Sequence, residues 1–192
     1  MRGERHSKNK GSRFERLICK MLSRWVTRGA RDDVFWRSAM SGGRATFQRK
    51  MSRSVPGRMR LVEKHTQEGD ISAIHPAGAP LLGSVVIECK CYRELRLDQL
   101  AYNVRGTFLG IWLDLQRRAE ESRRHPMLIA KENNRPILVG IDTHILNMLN
   151  SYRPTDGMED LRPRLTVPTY DLCLLPLDTL IAETDPTRAG LA

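Results

Sequence analysis

Phe14, Leu17, Ile18, Met21, Leu22 and Trp25 recur at i, i+3, i+4, i+7, i+8 and i+11, the apolar stripe of an amphipathic helix. Gly29 supplies a stop. The start is expected at Ser12, because Ser12-x-x-Glu15 has the form of a capping box. Residues 1–10 are polar and basic with nothing to bury, an arm expected to be disordered when free. Val34 to Ser38 reads as a short strand, followed by a Ser41-Gly42-Gly43 turn. No period persists through residues 44–60. Gly69 to Ile74 and Ser84 to Cys91 are strand-like, and the turn-rich piece between them, with Pro76, Gly78 and Pro80, predicts a β-hairpin with an elongated turn.

Further on, residues 97–124 have a helical pattern, stronger from Phe108, where Phe108, Ile111, Trp112, Leu115 and Ala119 share a face. Pro126 to Ala130 and Pro136 to Ile141 predict two strands around Asn133-Asn134, and Thr143 to Leu149 a short helix. Beyond Tyr152 the composition shifts: residues 154–186 hold five of the ten prolines, and acids outnumber bases. That tail is expected to pack one strand or short helix, Tyr170 to Ile181, on the core and then fray. The expected organisation is an arm at 1–10, an α/β domain at 11–150 with an insertion at 44–68, and a Pro-rich acidic extension at 151–192.

A chain of 192 residues can bury a real core. Its formal charge of +10 is unevenly spread. Residues 1–64 carry 18 basic and 5 acidic side chains, whereas the remainder is slightly acidic. Arg44, Arg49, Lys50, Arg53, Arg58 and Arg60 fall in one stretch without an acid, which predicts a mobile cationic loop that holds a phosphate backbone rather than reading bases. No apolar run is long enough to span a bilayer, so no membrane partner is expected, and no apolar segment makes a secretory signal. The four cysteines, Cys19, Cys89, Cys91 and Cys173, are too few and scattered for a disulfide scaffold, which points to a reducing, intracellular, cytoplasmic location. Cys89-x-Cys91 lacks the further ligands of a zinc site. The five histidines are isolated in sequence and take no role. Trp25 and Trp112 fit apolar helix faces, and Trp36 is either core or a stacking platform.

Candidate chemistry centres on Asp70 at the start of one strand and Glu88-Cys89-Lys90 at the end of the next. Glu88 and Lys90 share one face of a strand, Ile87, Cys89 and Cys91 the other. Two carboxylates brought together repel unless a cation sits between them, and such oxygen ligands suit Mg²⁺, with Mn²⁺ as a substitute. A lysine beside them can hold a water or balance charge on a phosphate. The plainer alternative is a solvated salt-bridging face. Against it, the continuous run Val85-Val86-Ile87 marks a buried strand, where charges are costly unless paired or metal-bound. Glu15 borders the apolar stripe, within about 60° of Ile18, so it either caps the helix or faces the site.

Lys10-Gly11-Ser12-Arg13-Phe14-Glu15-Arg16, Arg37-Ser38 with Ser41-Gly42-Gly43, Gly69-Asp70-Ile71 and Ile87-Glu88-Cys89-Lys90 follow one another as in the PD-(D/E)XK nuclease superfamily. More narrowly, residues 10–140 resemble the archaeal-type Holliday junction resolvases and their phage relatives. The resemblance implies a restriction-endonuclease-like α/β core with a central mixed sheet flanked by helices. It implies that Asp70 and Glu88 ligate the metal, assisted by the Cys89 backbone carbonyl, and that Lys90 contacts water or phosphate. Glu15 would complete the acidic cluster, directly or through water. Ser38 or Ser41 would match the serine-bearing loop near the scissile strand, with Arg37 beside it on DNA. Gln116 would match a polar helix residue used by some members, and Lys131 reads as an exposed strand-end lysine. Gly69 stands where the superfamily name has proline, and the 44–68 insertion and the tail have no counterpart.

The expectation is a Mg²⁺-dependent endodeoxyribonuclease, a homodimer selective for branched DNA, acting in recombination or repair, in the host cytoplasm if phage-encoded. The alternatives are a restriction, repair or transposition-type nuclease on linear duplex, and a non-catalytic DNA-binding protein. Retention of Asp70, Glu88 and Lys90 counts against the last.

Overall fold

The computed structural model describes residues 2–38, 69–101, 106–151, 160–187 and 189–191. Helix α1 (Arg2–Val26) buries Phe14, Ile18, Leu22 and Trp25 and leaves Leu17 at the margin of the stripe. Each of these burials stabilises by roughly 1.5–3 kcal/mol. The helix stops where Gly29, at φ +87°, donates its N–H to the Arg24 carbonyl at 2.7 Å. Its start differs from the sequence expectation. Ser12 lies inside the helix rather than at its cap, and the expected disordered arm is helical from Arg2. Once the buried stripe has nucleated the helix, each added Arg, Lys or Glu gains a hydrogen bond at little cost.

Strand β1 (Phe35–Arg37) pairs antiparallel with β2 (Ile71–Ala73), Trp36 opposite Ser72. The buried Ser23 hydroxyl ties this pair to α1: it donates to the Cys19 carbonyl at 2.7 Å and accepts the N–H groups of Val34 and Phe35 at 3.0 Å. The predicted hairpin does not form. Between β2 and β3 (Val85–Tyr92) the chain makes a 3₁₀ turn (Pro76–Gly78) and helix α2 (Ala79–Ser84), and the two strands belong to different sheets. Pro76 and Pro80 each stand in a first helical turn, where a missing N–H costs nothing, and Leu81 and Leu82 are buried.

Among the described residues five strands make the main sheet, in the order β3, β4 (His125–Glu132), β5 (Ile137–Ile141), β7 (Leu172–Pro176), β6 (Leu165–Val167). β3 and β4 are parallel, as a crossover through α3 (Asp98–Ala101) and α4 (Thr107–Glu121) requires, and the other pairings are antiparallel. Helix α5 (Thr143–Ser151) follows β5, and α6 (Leu177–Glu183) follows β7. The tail is thus not an appendage. It supplies an interior strand, an edge strand and a helix, because Leu172, Leu174 and Leu175 are buried on alternate faces of β7.

Helices cover both faces of this mixed sheet, the arrangement of a restriction-endonuclease-like α/β fold. Ile87 and Cys89 of β3 pack into one core with α1, while Val86 packs into the other with Phe108, Trp112, Leu115 and Ala119 of α4. The unbroken apolar run at 85–87 follows from this double burial. At the start of β4, His125 meets the segment after β5: its Nδ1 lies 2.6 Å from buried Asp142, and its ring stacks on His144 with centroids 4.3 Å apart. Asp142 also accepts the Ile145 N–H at 2.8 Å, capping α5. His125 and His144, isolated in sequence, thus meet in the fold.

Candidate active site

β3 is an edge strand of the main sheet, so the N–H and C=O groups on its outer side need partners from elsewhere. The segment Gly69-Asp70 provides them. The Asp70 N–H donates to the Ile87 carbonyl at 2.9 Å, and the Cys89 N–H donates to Asp70 Oδ2 at 2.9 Å. Asp70 therefore reaches Glu88 without a hairpin, by capping the strand's open edge. The Cys89 carbonyl points to the same edge as its own N–H, toward Asp70. The Asp70 carbonyl accepts the N–H of Ser38 at 2.8 Å, which continues the β1–β2 ladder.

This approach needs glycine at position 69. Its φ is +109°, and a Cβ there would lie 2.5 Å from the Ile87 carbonyl oxygen, the same atom that accepts the Asp70 N–H. Proline, locked near φ −65°, has no place in this backbone.

Glu88 and Lys90 face the α4 side of β3, and Lys90 Nζ is ion-paired to Glu88 Oε1. Glu88 Oε2 lies 3.1 Å from Nη2 of Arg118, whose Nε is 3.1 Å from Asp114 one turn earlier on α4. Asp70 and Glu88 are 9% and 7% exposed, so two buried acids meet two half-buried bases at the strand end. Burial, then the Glu88 carboxylate, push the Asp70 acid up to about 6, against the pull of Lys90 and of the Cys89 N–H. For Lys90, burial favours the neutral amine, but Glu88 and Asp70 more than offset it and raise its pKa. Burial drives the Cys19 thiol up to about 12 and the Cys89 thiol well above its ordinary value, so neither is a ready thiolate ligand.

Glu15 does not cap α1. Its Oε2 accepts from Arg37 Nε at 2.8 Å, and its charge is the last of the influences raising Asp70. Among the described residues no group of three or more His, Cys, Asp or Glu side chains is drawn together in this structure as a metal site. Arg37, expected on DNA, holds Glu15, and Ser38 is buried against the Asp70 backbone. Gln116 is engaged elsewhere, donating to the Tyr170 carbonyl at 2.9 Å. Trp36 is 52% exposed, which removes the core reading. Ser41, Arg44, Arg49, Lys50, Arg53, Arg58 and Arg60 lie outside the described residues.

Sequence reasoning missed Arg118. The signal was present in the helical spacing: Asp114 and Arg118 form an i, i+4 pair next to the buried Leu115 and Ala119.

The donor set fits a hard divalent cation. Such an ion keeps several waters and needs only one or two carboxylates, the oxygen donors that Asp70 and Glu88 offer here. The raised Asp70 pKa fits too, since a buried carboxylate pair disfavours its own second charge until a cation compensates it. Among the described residues no helix is long and apolar enough to cross a membrane.

A family model described as "Phage putative PDDEXK endonuclease" matches residues 6–186. No curated protein and no solved structure matches the chain at a significant level. The match extends through β6, β7 and most of the tail, in keeping with their place in the sheet.

Proposed function

The chain belongs to the phage PDDEXK endonuclease family, and from that premise we propose that it is a Mg²⁺-dependent DNA endonuclease selective for branched DNA. The observation that carries the chemistry is the buried constellation at the end of β3: Asp70 bonded to the Cys89 N–H, with Glu88 paired to Lys90 beside it. A divalent cation held by Asp70 and Glu88 would supply Lewis-acid charge to a phosphate oxygen and lower the pKa of a water.

The protein's own residues do the rest. Lys90 sits within ion-pair reach of Glu88, where its ammonium orients a water or carries charge that develops on the phosphate. Hydrolysis joins that water's oxygen to phosphorus and breaks one P–O ester bond. Glu15, fixed by Arg37, adds negative potential beside Asp70 and supports the metal through water. Ser38 braces Asp70 through the backbone. The basic residues from Arg44 to Arg60 hold the phosphate backbone, and their concentration in the first third of the chain supports this. Symmetric cutting of a four-way junction calls for two sites, hence a homodimer, which light scattering would register as twice the 22.0 kDa chain mass.

The decisive assay compares a four-way junction, linear duplex and single strand in Mg²⁺, with Asp70→Ala as control. Preferential junction cleavage that the substitution abolishes is expected. Equal cutting of duplex and junction refutes branch selectivity, cleavage by Asp70→Ala refutes the site, and salt-sensitive binding without cleavage indicates a non-catalytic DNA-binding protein.

Trp36 belongs to the same DNA surface. It lies two residues before Ser38, whose N–H is bonded to Asp70, and it is the one exposed tryptophan of three, Trp25 and Trp112 being 4% and 0% exposed. A base stacked on it is worth about 1–3 kcal/mol, so Trp36→Ala is expected to weaken DNA binding about 5- to 150-fold. DNA is expected to change the fluorescence of the wild type and not of Trp36→Phe. An equal change in that variant sinks the stacking role.

A further inference from the structure

Resting on that nuclease reading, the geometry points to Arg118 as a movable counter-charge: it neutralises Glu88 when no cation is bound and turns to a DNA phosphate when the site is loaded. Both carboxylate oxygens of Glu88 are engaged by cationic side chains, Oε1 by Lys90 and Oε2 by Arg118. With both of its oxygens held by cationic side chains, the Glu88 charge is compensated without metal. A divalent cation on Glu88 would then face two positive side chains at close range. Like charges a few ångströms apart in a partly buried site repel by several kcal/mol, so one of them must withdraw.

Arg118 is the one built to move. Lys90 is set on the same strand face as Glu88, two residues away, and its position is bound to that strand. Arg118 reaches Glu88 from α4 with one end of its guanidinium, while the Nε end is anchored on Asp114. Asp114 is half exposed and also holds Arg117 at 2.6 Å, so the anchor lies at the rim of the site, toward solvent. Pivoting about that anchor releases Glu88 and keeps the guanidinium at the mouth. Its planar donor fork suits a phosphodiester, whose two non-bridging oxygens accept it side by side. Arg118 is a positioning residue in this account: it governs which cation Glu88 holds and where the phosphate rests.

The test is Mn²⁺ binding to the full-length protein without DNA, followed by electron paramagnetic resonance, for wild type, Arg118→Ala, Arg118→Lys and Glu88→Gln. Removing a competing positive charge is expected to tighten Mn²⁺ binding about tenfold in Arg118→Ala, with Arg118→Lys close to wild type. A structural defect would loosen it, so the sign separates the two. In steady-state cleavage Arg118→Ala is expected to raise KM for DNA at least tenfold, with Arg118→Lys recovering part of it. Wild-type Mn²⁺ binding that Glu88→Gln abolishes but Arg118→Ala leaves unchanged or weakens overturns the role of Arg118 alone. Mn²⁺ binding absent from wild type and all variants overturns the metal-site reading, and this inference with it.

Discussion

Asp70→Asn is expected to abolish cleavage and, in chelator at neutral pH, to make the protein more stable. The two effects have one cause. Burial and the neighbouring Glu88 raise the Asp70 pKa from 3.8 to about 6, so its charged form is less favourable in the folded chain than in the unfolded one. The sign follows from linkage. The folded state binds the proton more tightly, so the stability contributed by protonated Asp70 is complete below pH about 4 and lost as pH rises to about 6. Asparagine keeps an oxygen to accept the Cys89 N–H and carries no charge. At pH 7.5 without metal the variant should therefore gain as much as about 3 kcal/mol, a rise in Tm of roughly 6–12 °C.

At pH 4 the difference should vanish, and a divalent cation should restore the wild type selectively. Under the proposed role of Asp70 in holding the metal, its loss should lower kcat by at least about 10²–10³. Thermal unfolding with and without chelator at pH 4 and 7.5, run beside the cleavage assay, measures all of this. A variant less stable than wild type at pH 7.5 in chelator contradicts the electrostatic account, and a variant that cuts DNA contradicts the assignment of Asp70.

Gly69→Pro, which would restore the superfamily's proline, is expected to inactivate the protein, and Gly69→Ala to do nearly the same. A Cβ at this position meets the Ile87 carbonyl at 2.5 Å, and that oxygen cannot yield without giving up the Asp70 N–H. The left-handed φ of +109° adds backbone strain for any L-residue. Steric and torsional costs together come to about 2–5 kcal/mol. The chain can relieve them by moving Asp70 away from β3, and a displacement of about 1 Å at a reacting centre costs on the order of a hundredfold in rate. Gly69→Ala should therefore fold with a lowered Tm and cleave at least about a hundredfold more slowly. Wild-type cleavage by either variant would mean that Asp70 is not held by this contact.

The four motif segments show how far local pattern carries. The two-residue period alone places Glu88 and Lys90 on one strand face, opposite Ile87 and Cys89, and in the fold Ile87 and Cys89 pack into the core with α1 while Arg118 of α4 reaches Glu88. That Asp70 would stand beside them was also legible, but the predicted reason, a hairpin, was wrong. Pro76 and Pro80 signalled a turn equally well as helix starts, and only the burial of Leu81 and Leu82 against β3 and its neighbours decided between the two. The Ser12-x-x-Glu15 motif misled similarly. A capping box and an inward glutamate share one spacing, and Arg37, far along the chain, selects the second by binding Glu15. The helical spacing marks Arg118 as an i, i+4 partner of Asp114, but its contact with Glu88, 30 residues away on another element, is one that no local pattern encodes.

What the sequence by itself determined is the set of periodic elements, the uneven charge and the chemical character of the site: which residue types it contains, in what order and on which strand face. These depend on neighbours a few positions apart. What only the tertiary structure decided is how the set is closed. β3 lies at a sheet edge, Gly69-Asp70 caps that edge, α4 delivers Arg118 to Glu88, and the acidic tail supplies an interior strand. Each of those depends on which surfaces bury one another, and Glu88 meets Arg118, 30 residues away, only once they do.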